Sequence, residues 1–305
     1  MRPETLRAIA KRNDYALPDD LESQFHYRDF LHFLETFQLV AHALQHYDDF
    51  REVVIAYARE AAAHGAVYVE GIFVPGLWRG HDTDEVFSGY CDGAQEAREM
   101  HGVEMRLTPD IPRVYGIEDA LTTARFAVKY ADRGVVGIGL GGPEGGHPPE
   151  PYAEAFALAR EGGVASVPHA GEAVGAESVR GALEALKADR IRHGIRAVED
   201  TGLVSELAGR GTVLDVCPLS NLRTGVVRTL EEHPLPQLVA AGVRCSISTD
   251  DPAMFDTDLT RDYEAAASLG VTPRAAYEAG LAGALCDDAT RERLRRIGGE
   301  FDWDR

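Results

Sequence analysis

Along the chain, short apolar runs of strand type end in polar residues mixed with Gly or Pro, and an amphipathic helical stretch follows. The pattern occurs seven times, at VYVEGIFVP (67–75), VEMRLTPDIP (103–112), VVGIGLGGPE (135–144), VASVPHAGE (164–172), RIRHGI (190–195), TVLDVCPLSN (212–221) and VRCSISTDDP (243–252). Between them, residues 118–134 set Ala120, Leu121, Ala124, Ala127, Val128 and Ala131 at helical spacing and stop at Gly134. Residues 151–163 and 177–190 repeat the design. The strand-end markers Pro75, Asp110, Gly142, His169, His193, Asn221 and Asp250 lie 24 to 35 residues apart. A (β/α)8 TIM barrel allots about 31 residues to each strand and helix. The rhythm therefore predicts an α/β protein with a parallel barrel sheet and polar residues gathered at the C-terminal strand ends. An open doubly wound sheet is the competing architecture, but GLGGPEGG (139–146) does not fit its phosphate-binding G-x-G-x-x-G turn. No linker or composition break interrupts the pattern, so residues 1–305 are read as one domain.

Charge narrows the partners. Fifty acidic residues against 31 Lys and Arg give a net charge of -19, which repels nucleic-acid backbones and anionic membrane surfaces. No apolar stretch reaches the roughly 18 residues of a membrane span, and the polar start RPETLRAIAKRND is unlike a signal core. A cytoplasmic location is expected. The four cysteines form no C-x-x-C pair, so neither a disulfide framework nor a zinc finger is predicted.

The later strand ends carry the candidate chemistry. His169 and Glu172 stand in HAGE, His193 in RHG, and Asp250 with Asp251 in STDDP. Taken singly, each has a plainer reading: a satisfied structural His, a solvated Glu, or a DDP turn or helix cap. Their joint occurrence at successive strand ends is harder to assign to chance. Imidazole and carboxylate ligands beside a separate proton carrier are what zinc-dependent hydrolysis requires.

HAGE, RHG, CPLSN and STDDP, with VYVEGIFVP upstream and the connecting RAVEDTGLVSELA and EEHPLPQL, resemble the adenosine deaminase family of the amidohydrolase superfamily over about residues 2–285. The resemblance implies that His169 and Asp250 are ligands of one Zn2+ and that Glu172 donates a proton to N1 of a 6-aminopurine. It implies that His193 orients the attacking oxygen or acts as its base, that Asp251 bonds N7, and that the backbone N–H of Gly142 meets N3. The implied reaction is hydrolytic deamination of a purine nucleoside, adenosine or one like it, to the 6-oxo product and ammonia. Aminodeoxyfutalosine deamination in menaquinone synthesis is the alternative within the family. A non-catalytic purine-binding paralogue is the alternative outside it.

The sequence also departs from the family pattern. Its first strand, with a His-x-His pair of zinc ligands, is missing from this chain, so the sequence is expected to open inside the first β-to-α connection, with that strand upstream. His26, His32, His42 and His46 lie at helical spacing and are expected on helix faces or in the pocket lining rather than as substitute ligands. Ile72 stands where relatives often carry Arg, and Gly139 and Pro143 where many carry Asp. These changes leave adenosine itself open and also suit a larger adenosine-like nucleoside, whose carboxylate Arg223 or His147 could meet, although each reads first as a surface residue; residues 25–37 read equally as a helical lid over the ribose side or as an amphipathic packing helix.

Overall fold

The computed structural model describes residues 1–303. Each predicted apolar run forms strand, and the strands are β1 (Tyr68–Phe73), β2 (Glu104–Pro112), β3 (Gly137–Gly141), β4 (Ala165–Ser166), β5 (His169–Ala170), β6 (Arg190–His193), β7 (Val213–Val216) and β8 (Arg244–Ile247). All pairings are parallel, in the orders β1-β2-β3-β4 and β5-β6-β7-β8. The run VASVPHAGE supplies both β4 and β5, because Pro168 has no N–H to give the ladder. The run nevertheless joins the two sheets: Val167 N–H donates to Ile138 O at 2.9 Å, and Pro168 O accepts from Arg192 N–H at 3.0 Å.

Strand order never reverses along the chain. A doubly wound sheet needs such a reversal to make its ligand crevice, so the observed order bends the sheet one way into a barrel wall. Among the described residues β1 pairs with β2 and β8 with β7, and neither has a second strand neighbour. A cavity of about 990 Å³ runs from the C-terminal strand ends down between these two edges. No helix among the described residues is long and apolar enough to cross a membrane.

The helices follow the amphipathic stretches with adjusted ends. The first predicted helix occupies Ile117–Lys129, then tightens to a 3₁₀ turn over Ala131–Arg133 before Gly134 stops it in the left-handed region. The expected lid differs more. Its helix is Phe30–Ala41, and Asp29 caps it by accepting the His32 N–H at 2.9 Å. The four N-terminal histidines therefore do not share one helix face. His32 is helical, His42 and His46 sit at helix ends, and His26 precedes the helix.

Candidate active site

Asp250 and His193 both adopt positive φ, +56° and +60°, at the ends of their strands. A residue with a Cβ enters that region at some cost, and such strain collects at functional sites. The two turns point the side chains to the barrel mouth, where His169, His193 and Asp250 each offer one donor atom within 4.8 Å of the others. His193 Nε2 lies 3.6 Å from Glu172 Oε2 and 3.8 Å from Asp250 Oδ2. Asp251, Gly142 and Pro143 line the same cavity. Every predicted site residue thus meets at one opening.

Burial sets the protonation states. It pushes the Glu172 carboxyl well above its ordinary value, and the Asp250 charge adds to the effect, so the neutral, protonated form of Glu172 is favoured. Burial also pushes His193 down to about 4, leaving a neutral imidazole. Asp251 is raised to about 7, again by burial first and Asp250 second. A neutral carboxyl, a neutral imidazole and a charged carboxylate within a few ångströms are the pieces of an acid–base and metal site.

The residues present fit part of a zinc site. The His169 imidazole and the Asp250 carboxylate are ordinary zinc ligands, two of the three or more protein ligands that such an ion takes, and buried His169 Nδ1 has no hydrogen-bond partner among the described residues. Asp110 Oδ2 comes within 3.1 Å of that nitrogen but off the line of a hydrogen bond.

Two acids that the sequence reading left without a role support the site from beneath. Asp110, at the end of β2, pairs with Arg192 and reaches His169 through space left open by β3. A Cβ on Gly139 would run into Asp110 Oδ1 and Arg192 Nη1, and one on Gly141 would come within 2.8 Å of Asp110 Oδ2. The glycine that departs from the family pattern is therefore filled by a carboxylate from the neighbouring strand. Burial raises the Asp110 carboxyl, but Arg192 and His169 more than reverse this and hold it charged. Replacing Gly139 with Ala is expected to cost about 1–3 kcal/mol by overpacking, read as a lower denaturant midpoint; an unchanged midpoint would show that Asp110 does not need the space.

Glu144 is the second acid. Its Oε1 accepts from Gly171 N–H at 2.7 Å and Ser178 Oγ at 2.8 Å, while Oε2 accepts from the N–H groups of Glu172, Ala173 and Val174 at 3.1, 2.8 and 2.8 Å. Gly171, at φ +68°, turns the chain so that these amides converge, and a Cβ there would strike Val179. The loop carrying Glu172 is wrapped around a buried carboxylate. Neither acid is marked by local sequence; the available signal is the pair of glycines on β3 beside an acidic end of β2.

Comparison with known proteins shows the family. The family model described as adenosine deaminase matches residues 1–296. The chain belongs to the adenosine deaminase family. It is therefore an enzyme, a hydrolytic deaminase acting on adenine-like rings. Among its relatives, an aminodeoxyfutalosine deaminase from Acidothermus cellulolyticus is 49% identical, the match covering 99% of this chain and 89% of that one. An adenine deaminase from Rhizobium leguminosarum bv. trifolii is 38% identical over 96% of this chain and 93% of its own length. The crystal structure of an adenine deaminase from Arthrobacter aurescens superposes with a TM-score of 0.92 at 29% identity, covering 98% of this chain and 94% of that one. As a family member with this TIM-barrel architecture, the protein has its ionisable residues where such a barrel places an active site.

Arg223 and His147 stay away from the cavity, in keeping with their plainer reading as surface residues. Arg223 faces Asp256 at 3.9 Å, and His147 Nδ1 bonds its own loop at Gly145 O. Phe30, Phe33, Leu34 and Phe37 of the shifted helix line the cavity, and Phe33 also packs on Phe255, so the helix meets both readings given to residues 25–37.

Proposed function

We propose that the enzyme deaminates a 6-aminopurine nucleoside larger than adenosine, of the aminodeoxyfutalosine type. The observation that carries this reading is the apolar lining of the cavity. Beyond the ionisable cluster the cavity is walled by Phe30, Phe33, Leu34, Phe37, Val114 and Tyr115, more apolar surface than a bare purine covers. The 49% identity to an aminodeoxyfutalosine deaminase points the same way.

His169 and Asp250 would hold the metal, with His193 beside it. When bound, zinc supplies Lewis acidity that makes water a usable nucleophile near neutral pH. The chain's own groups do the rest. Glu172, protonated in its buried setting, donates to ring N1 as water adds at C6. That protonation breaks the ring's aromatic character and makes C6 electrophilic. His193 orients the attacking water; of that water's two protons, one ends on the amino nitrogen, which leaves as ammonia as the C6–N bond breaks and C6=O forms, and the other restores the Glu172 carboxyl. Asp251, with its raised carboxyl, can donate to N7, and the Gly142 N–H can meet N3. Ser220 Oγ donates to Asp250 Oδ2 at 2.7 Å and fixes that carboxylate's orientation.

The adenine deaminase relatives provide a second reading, in which the free base is the substrate. Ammonia release from adenine, adenosine and aminodeoxyfutalosine separates the two. The expected result is a kcat/KM for aminodeoxyfutalosine at least about 100-fold above that for adenine, the value of some 3 kcal/mol of extra apolar contact. Preference for adenine would reject the larger substrate.

A further inference from the structure

Apart from Ser220, which holds Asp250, CPLSN and EEHPLPQL have no part in the chemistry above, yet they meet directly behind His193. Asn221 comes from the short helix Pro218–Arg223, and His233 from the turn before the helix Leu235–Ala240. Asn221, His233 and His193 are all buried, at 0%, 2% and 2% exposure, so each polar atom must find its partner inside the protein.

The protons in this row can be assigned from one fixed point. Leu235 opens its helix, and its backbone N–H has no intrahelical acceptor. It donates to His233 Nδ1 at 3.0 Å. A nitrogen that accepts carries no proton, so the His233 proton sits on Nε2. That Nε2–H faces Asn221 at 3.2 Å and needs an acceptor, which fixes the amide oxygen on the His233 side. Asn221 therefore turns its Nδ2–H group to His193 Nδ1, also 3.2 Å away. His193 Nδ1 must accept, and the proton of its neutral ring is on Nε2. Flipping the amide would leave His233 accepting at both nitrogens, a state open only to an imidazolate.

We propose that Leu235 N–H, His233 and Asn221 form a relay of hydrogen bonds that locks His193 as the Nε2–H tautomer, so that His193 meets the reacting centre as a donor and not as a metal ligand. The inference rests on the deaminase reading for its catalytic consequence, but the tautomer itself does not. Asn221 and His233 are positioning residues, acting only through His193. The Nε2–H points to the mouth, with Glu172 Oε2 and Asp250 Oδ2 at 3.6 and 3.8 Å, where it can hold the oxygen that attacks C6. His169 and Asp250 remain as the ligands this chain offers. Which ring nitrogen of an imidazole carries the proton is set by the hydrogen bond that the other nitrogen makes.

The test is the long-range 1H–15N spectrum of the full chain labelled at histidine, with His193 assigned by its absence in a His193→Gln variant. The parent should show His193 as a neutral ring protonated at Nε2. Asn221→Asp puts an acceptor in place of the donor and should reverse the ring to Nδ1–H. Deamination by that variant should fall about 10³-fold in kcat with KM changed less than about threefold, the scale set by a wrongly protonated catalytic imidazole. Asn221→Leu, which offers neither donor nor acceptor, should give a mixture of tautomers. A parent spectrum with Nδ1–H, or an Asn221→Asp spectrum unchanged from the parent, would overturn the relay. Should the spectra behave as expected while no 6-aminopurine is deaminated, the relay stands and the proposed function fails.

Discussion

Replacing Glu172 with Gln lowers kcat about 10³-fold while the metal content stays at the parent level. The amide keeps the shape of a neutral carboxyl and can still form a hydrogen bond to ring N1, but it cannot deliver a proton, and positioned general acids contribute roughly 10²–10⁴ in rate. The same substitution should move stability the other way. Burial and the Asp250 charge raise the Glu172 carboxyl, so its neutral form is favoured in the folded protein. The sign follows from linkage: the associated stability is complete below the ordinary carboxyl value and is lost as pH rises through the raised one. Gln has no such loss. Thermal unfolding of the metal-free proteins should show the variant and parent equal near pH 4 and the variant increasingly the more stable at higher pH, an instance of strain kept for function. A parent-like rate in the variant would remove Glu172 from the proton step.

The second large effect is expected at Asp250. Asn in its place can still accept from Ser220, so the local turn at φ +56° has no new reason to fail. What disappears is the negative charge. Metal affinity should fall by at least about 10²-fold, since losing even an outer-shell partner costs 10–100-fold and Asp250 is expected to be a ligand. Its charge also contributes to the raised carboxyls of Glu172 and Asp251 and opposes the lowering of His193. The variant should therefore titrate Glu172 and Asp251 at lower pH. Chelator competition measures the first effect and carboxyl-labelled NMR the second. Affinity within threefold of the parent would mean that Asp250 does not ligate.

Much of this was legible in the lettering because barrel folds write themselves locally. Six of the seven apolar runs bury one strand each and VASVPHAGE buries two, and polar residues just past the run ends must lie at the C-terminal rim once all strands run parallel. That logic brings His169, Glu172, His193, Asp250 and Asp251 together without any knowledge of distances. It cannot find Asp110 and Glu144, whose roles depend on burial and on what lies across a neighbouring strand. Asp110 reads as another strand-end acid until Gly139 and Gly141 are seen to leave room for it. Glu144 reads as a loop Glu until the amides of 171–174 are seen to point at it. The lid was misplaced for a simpler reason: the aromatic spacing of 25–37 hid the Asp29 cap, and capping chemistry rather than periodicity decides where a helix starts. Arg223 and His147 read first as surface residues, and neither lines the cavity.

The most direct measurement is anomalous scattering at the zinc edge from crystals of the protein grown with zinc. A single strong peak bonded to both His169 and Asp250, with His193 Nε2 turned toward an oxygen rather than the metal, is the expected result. Zinc bound elsewhere, or no peak between those two side chains at saturating zinc, would contradict a metal-dependent deaminase built from this cluster.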